Sequence, residues 1–149
     1  MQLFINISNS YHTIAMKKNM ITDFLFCGLF GWCMECFWTG LGSIMTHKDR
    51  KLSCTTSVWM FPIYGLAAFI SPISKLLKNN CALVRGGVYT FFIFLTEFCT
   101  GELLKKFRAC PWDYSKAKLN LDGIIRLDYA PVWFAVGLLY EKMLKKKTV

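Results

Sequence analysis

From residue 21 to residue 45 the chain reads ITDFLFCGLFGWCMECFWTGLGSIM, with Asp23 and Glu35 as its acids and no Lys or Arg. At ~1.5 Å per residue, a helix of that length covers the ~30 Å hydrocarbon core of a bilayer. Three more apolar blocks follow, over residues 58–73, over residues 86–104, and from residue 124 or 129 to residue 143. The charges fall mainly between the blocks. A soluble domain of 149 residues would spread its charges along amphipathic helices. Hydrophobic residues reach 54%, above the roughly 45–50% usual for globular domains. The pattern predicts an all-α membrane protein, a bundle of about four transmembrane helices over residues 20–144. A polar N-terminal tail (1–19) and a basic C-terminal tail (145–149) flank it.

The second block is short, and Pro62 and Pro72 interrupt it. Proline removes a backbone donor and kinks a helix, so this segment is expected to be bent or partly re-entrant. Residues 1–19 lack the order of a signal peptide. They contain Asn6-Ile7-Ser8, a glycosylation sequon that matters only in an oxidising lumen.

Four spans put both termini on one side. Lys17, Lys18, Lys75, Lys78, Arg85, Lys142, Lys145, Lys146 and Lys147 then share that side. Lys48, Arg50, Lys51, Lys105, Lys106, Arg108, Lys116, Lys118 and Arg126 lie opposite. The 18 basic residues divide equally, so the positive-inside rule gives no orientation. The compact C-terminal cluster leans towards cytoplasmic termini. Lys146-Lys147 before Thr148-Val149 resembles a dilysine retrieval signal, which would suit a eukaryotic endomembrane; a bacterial source would imply the plasma membrane.

The net charge of +9 flanks apolar blocks, as expected for side chains that snorkel to anionic headgroups. No nucleic-acid-binding signature accompanies it, so lipid and not nucleic acid is the expected partner. Cys33 and Cys36 form a C-x-x-C inside the first block, without a second pair at ligand spacing. Cysteine there behaves as a small hydrophobe, and neither a metal nor a cofactor is expected.

A carboxylate inside the bilayer costs on the order of 2.5–3.5 kcal/mol on insertion scales. Glu35 and Glu97 therefore carry the most information. Gly28, Gly31, Glu35, Thr39 and Gly42 recur at spacings of three and four, on one helical stripe. Gly86, Thr90, Glu97 and Gly101 repeat the arrangement. Small residues let another backbone approach closely, so the two stripes are expected to pack face to face, with the glutamates close together or lining one polar cavity. Their role is open between pinning the packing, binding a ligand or ion, and acting as an acid/base pair. His12 and His47, the only histidines, lie outside the blocks, and no catalytic residue is assigned. In the loop after the third block, Cys110-Pro111-Trp112-Asp113-Tyr114-Ser115 suits an interfacial anchor and turn. The alternative reading is a lid over the cavity, with Asp113 paired to a nearby Arg such as Arg85 or Arg108.

These motifs occur in a recognisable order: Gly31-Trp32-x-x-Glu35, Pro62-Ile63-Tyr64-Gly65, Glu97-x-x-x-Gly101, Trp112-Asp113-Tyr114-Ser115, and Asn120-x-x-Gly123. The chain thereby resembles the transmembrane protein 229 family and its bacterial relatives, labelled type IV ABC transporter permeases of the CmpB kind. The resemblance runs from about Asp23 to Met143. It is strongest over Thr55-Thr56-Ser57-Val58-Trp59 and residues 97–131. Met60-Phe61 ahead of Pro62 is closer to an animal-like branch than to the bacterial members.

The resemblance implies a multi-pass membrane protein, permease-like by label. No G-x-x-x-x-G-K-[ST] phosphate loop is present, so the expected partner is a separate ATPase or a second copy of the chain. The expected function is a permease-like or solute- or lipid-binding membrane component, non-enzymatic. An intramembrane enzyme with paired carboxylates and a purely structural oligomer are the alternatives. Glu35, Glu97, Trp112, Asp113, Tyr114, Asn120 and Tyr64 are the candidate ligand-binding or buried polar residues. Gly28, Gly31, Gly42, Gly65 and Gly101 are the candidate packing positions.

Overall fold

A computed structural model describes the backbone of residues 2–48 and 50–147, and the side chains of residues 19–45, 48 and 50–146. The fold is mostly helical. Helix α1 covers Gln2–His47, α2 Met60–Gly65, α3 Ile70–Leu76, α4 Ala82–Lys106 and α5 Ala130–Lys147. Strands β1 (Asn120–Leu121) and β2 (Ile125–Arg126) form a small antiparallel hairpin between α4 and α5. The backbone of the polar N-terminal tail continues the first helix. The sequon at Asn6 and the side chain of His12 lie outside the described residues.

Two stretches are long and apolar enough to cross a bilayer: Asn19–Met45 within α1, and Ala82–Lys106, each with mean hydropathy 1.4. Their large side chains face outward to an extent that water would penalise. Phe37 is 68% exposed, Met45 82%, Leu83 75% and Phe91 63%. Along α1 the exposed residues Ile21, Leu25, Leu29, Phe37, Leu41 and Met45 recur at multiples of four, a ridge that winds part of the way around the helix. An apolar surface this continuous marks a lipid or protein partner.

The second block forms a shorter apolar helix over Met60–Leu76, roughly 25 Å long at 1.5 Å per residue. It runs as two short α-helices, α2 and α3, and the expected proline interruption shows as a tightened turn between them. Pro62 sits in the first turn of α2 and Pro72 in the first turn of α3, where a missing N–H is tolerated. A 3-10 turn, Leu66–Phe69, joins the two. Pro72 has no N–H to offer the carbonyl of Ala68 four residues back, and the tighter turn takes up the difference. The fourth block starts at Ala130, with Pro131 at the start of α5. Residues 124–126 belong instead to the hairpin.

The core lies where α1, α3, α4 and α5 converge. Cys27, Ile70, Tyr89, Tyr140 and Leu144 are buried together. The Tyr140 hydroxyl donates to the Cys27 carbonyl at 3.2 Å. The two small-residue stripes do not pack face to face. A Cβ on Gly28 would lie 2.8 Å from the Phe61 carbonyl oxygen. One on Gly31 would lie 2.4 Å from the Tyr64 ring and 2.5 Å from the Tyr140 hydroxyl. The α1 stripe thus receives α2 and α5. On α4, Gly86 receives Phe134 of α5, and Gly101 receives Ile124 of the hairpin. The intervening aromatic side chains are too large to let α1 and α4 approach along both stripes. Gly65 is filled by the Phe24 ring, whereas a Cβ on Gly42 would meet no atom within 4 Å.

Gly31→Leu is therefore expected to lower thermal stability in detergent, by about 1–3 kcal/mol as an overpacked core does, and Gly42→Leu to leave it unchanged. Equal melting temperatures for the two variants would contradict this packing.

Candidate functional site

Glu35 and Glu97 come from different helices and act on the same two phenols. Tyr64 of α2 and Tyr114 of the α4–β1 loop each lie within electrostatic reach of both carboxylates. The two glutamates thus share the same two tyrosines as electrostatic neighbours.

Each carboxylate is held differently. Thr56 donates its hydroxyl to Glu35 Oε2 at 3.2 Å and accepts the Trp32 indole N–H at 3.0 Å. The Tyr64 hydroxyl faces the same carboxylate. One turn on, Thr39 donates to the Glu35 carbonyl at 2.9 Å and accepts the Thr55 N–H at 3.2 Å. Residues 55 and 56 are thereby stitched to α1. Glu97 has less support. Trp133 of α5 faces it, and Oε2 is buried without a hydrogen-bond partner. A buried polar atom left unpaired costs about 1–3 kcal/mol, more when charged.

The loop that carries Tyr114 is tied to itself. Asp122 and Gly123 both have positive φ, 52° and 65°, and Ile124 N–H bonds the Leu121 carbonyl at 2.9 Å. Leu121 pairs with Ile125, so Asp122-Gly123-Ile124 form a three-residue hairpin loop whose Asp-Gly supplies the positive φ values. A Cβ on Gly123 would strike Ser115 Oγ at 2.4 Å, so glycine is required for space as well as for φ. Tyr114 N–H bonds the Gly123 carbonyl at 2.8 Å. Trp112 Nε1 donates to the Ile124 carbonyl at 3.0 Å. Asn120 accepts the Gly123 N–H at 2.9 Å and donates to the Ala117 carbonyl at 2.6 Å.

Asp113 accepts both the N–H and the hydroxyl of Ser115, at 2.9 and 2.5 Å. These bonds hold its carboxyl below the usual carboxylate range. It pairs with neither Arg85 nor Arg108, as Arg85 is engaged by Glu141 at 3.1 Å. Trp112, Asp113 and Asn120 therefore use their polar atoms to shape the loop. Of the candidate residues in it, Tyr114 is the one aimed at the glutamates. Burial pushes its phenol up, with Glu97 the nearest charge adding to the effect, so it stays a neutral donor at physiological pH.

Sequence reasoning missed several members of the site. Tyr129 packs edge-on against Tyr114 at 6.1 Å and against Trp38 of α1 at 6.4 Å. Arg126 stacks over Tyr129 at 4.5 Å and forks onto Asp128 at 2.8–2.9 Å. Thr56 and Trp133 complete the carboxylate surroundings. Among the described residues no three His, Cys, Asp or Glu side chains group as a metal site. Two surface clefts lie elsewhere, one against Cys36, Leu52 and Cys54, the other between the ends of α4 and α5.

A helical chain with two apolar helices of bilayer length and carboxylates on its inner faces fits a membrane transport component. The family described as "Putative ABC-transporter type IV" matches residues 22–149, and the chain belongs to it. No solved structure matches the chain.

Asp113 and Asp128 are both held below their ordinary values, the latter by Arg126. A depressed carboxyl contributes stability above its unfolded pKa of about 3.9 and loses it as pH falls through the folded value. Hydroxyl-radical footprinting should therefore find Trp112 equally protected at pH 7 and pH 5, and exposed only in stronger acid. Exposure already at pH 5 would mean that these bonds do not hold the loop.

Proposed function

We propose that the chain is a four-span, non-catalytic membrane component of a transport system, working with a separate ATPase, and that the Glu35–Tyr64–Tyr114–Glu97 centre takes the polar group of a solute or lipid. One observation carries this reading: the orphaned Oε2 of Glu97. It is a buried polar atom within electrostatic reach of both phenols, and a hydrogen-bonding group on a ligand would complete it. Glu35, by contrast, has Thr56 and Tyr64 around it and serves as the fixed wall. The Tyr114 loop closes the centre, so access requires that loop to move.

Four spans follow from reading Met60–Leu76 and α5 as the second and fourth crossings beside the two longer apolar helices. Likeness to the transmembrane protein 229 family rests on the same motifs, since Trp112, Asp113, Asn120 and Gly123 build the loop together. In this reading both termini share a side.

Native cysteines report the topology. Cys54 and Cys110 sit in connections on one side and Cys81 in the connection on the other. A membrane-impermeant maleimide added outside sealed, uniformly oriented vesicles should label either Cys81 alone or Cys54 and Cys110 without Cys81. Labelling of all three from outside would sink the four-span arrangement.

The binding role is tested by mass spectrometry of small molecules that copurify in detergent. Glu97→Gln should lose a species that the wild type carries, and Tyr114→Phe should lose part of it. Both variants should keep the wild-type helical circular dichroism. Identical ligand content in wild type and variants would leave Glu97 with a structural role only.

A further inference from the structure

The ends of α4 and α5 enclose a cleft of about 580 Å³, well apart from the residues of the polar centre. Ala82 and Leu138 line it with apolar surface. Arg85, Lys142, Lys145 and Lys146 line it with positive charge. On α5 the three lysines stand at spacings of three and four, so they share a face. One acid, Glu141, stands among the four cations and is 4% exposed.

Glu141 sets the geometry. It accepts Arg85 Nε at 3.1 Å and is also bound by Lys145. Arg85 Nη1 donates to the Asn80 carbonyl at 2.7 Å. The guanidinium is therefore held on two sides, and Nη2 has no acceptor among the described residues. Lys142 and Lys146 are exposed and make no ion pair among the described residues. Three donors of positive charge thus face one cleft with a single carboxylate to balance them.

Apolar residues next in sequence to the cleft's apolar lining are open to the outside. Leu83 is 75% exposed, Val84 48% and Leu139 39%. A free anion would use only the charged lining. A molecule with a phosphate attached to acyl chains would use the charged and the apolar lining together. Guanidinium and ammonium groups suit phosphate oxygens.

We propose that this cleft is a binding site for the phosphate of an anionic phospholipid, held by Arg85 Nη2, Lys142 and Lys146, with its acyl chains leaving along Ala82 and Leu138. The site rests on the membrane reading above but not on the carboxylate centre.

The test uses the purified full chain in detergent, with phosphatidylglycerol or phosphatidylcholine added and retention read by native mass spectrometry. Phosphatidylglycerol should be retained over phosphatidylcholine. The double variant Lys142→Gln with Lys146→Gln should bind it about 30-fold more weakly, at the rate expected for two interfacial cations. Lys142→Arg with Lys146→Arg should retain it, and Lys75→Gln with Lys78→Gln, which removes cations outside the cleft, should leave it unchanged. Equal weakening by the two glutamine pairs would overturn the site in favour of a diffuse basic surface. Displacement by millimolar inorganic phosphate would overturn the lipid assignment in favour of a soluble phosphate ligand. Failure of the membrane reading would show separately, as release of the wild-type chain from membranes by alkaline carbonate.

Discussion

A carboxylate placed inside an apolar helix has to be met by some other part of the chain, and the rest of this structure follows from how Glu35 is met. Its partner is a threonine 21 residues away in the loop after α1. Thr56 can reach it only if that loop folds back along the helix. The Thr55 N–H to Thr39 bond and the Trp32 indole to Thr56 bond fix the fold-back. The folded loop then delivers α2 onto α1 at the level of Gly28 and Gly31, which brings Tyr64 to the same carboxylate. One half-buried acid thus sets the register between the first two blocks. Water could have satisfied Glu35 in a soluble protein; within a hydrocarbon layer only the chain can.

Glycine and aromatic side chains provide the complementary half of the packing. Phe61, Tyr64, Phe24, Phe134 and Ile124 each occupy the space a Cβ would take on Gly28, Gly31, Gly65, Gly86 and Gly101. At Gly31, Gly65, Gly86 and Gly101 this is close approach of side chain to backbone, while at Gly28 the Phe61 carbonyl also comes close. It explains why the two stripes are separated: each is already filled by a ring or a branched side chain from its own neighbour. The glycines that an intermolecular contact through these stripes would need are largely taken up within the chain.

The first and third apolar blocks were legible because each is a long run with few charges, and they are the two stretches of bilayer length. The second was harder to read because a proline early in a helix and one in its middle look alike without the boundaries. The fourth is diluted by Lys142, Lys145, Lys146 and Lys147. The hairpin had a usable signal, Asp122-Gly123 between Leu121 and Ile124, but it is two residues per strand and sits in a stretch rich in charge. The site was legible in its acids and in Tyr64 and Tyr114, since a charge in an apolar run needs an explanation. Thr56, Tyr129 and Trp133 were not, because their contacts join distant segments and no spacing rule links them. Asp113 bonds Ser115 two residues on, as the turn reading expects, and the long-range ion pair of the lid reading is not formed, since Arg85 pairs with Glu141.

The contrast between the two glutamates bears on whether the centre is only scaffold. A carboxylate kept solely to pin helices would be expected to have its acceptors filled, as Glu35 Oε2 is by Thr56. Glu97 lies opposite, with Trp133 facing it and Oε2 unfilled. Around it the chain provides rigid walls: the phenol of Tyr64, the loop-held phenol of Tyr114, and an aromatic buttress through Tyr129 to Trp38. The loop is stabilised by its own bonds, through Trp112, Asp113, Asn120 and Gly123, rather than by bonds to the glutamates. The bonds that shape the loop are thus separate from its approach to the glutamates. That separation is unnecessary for a scaffold and useful for a site that has to admit a ligand.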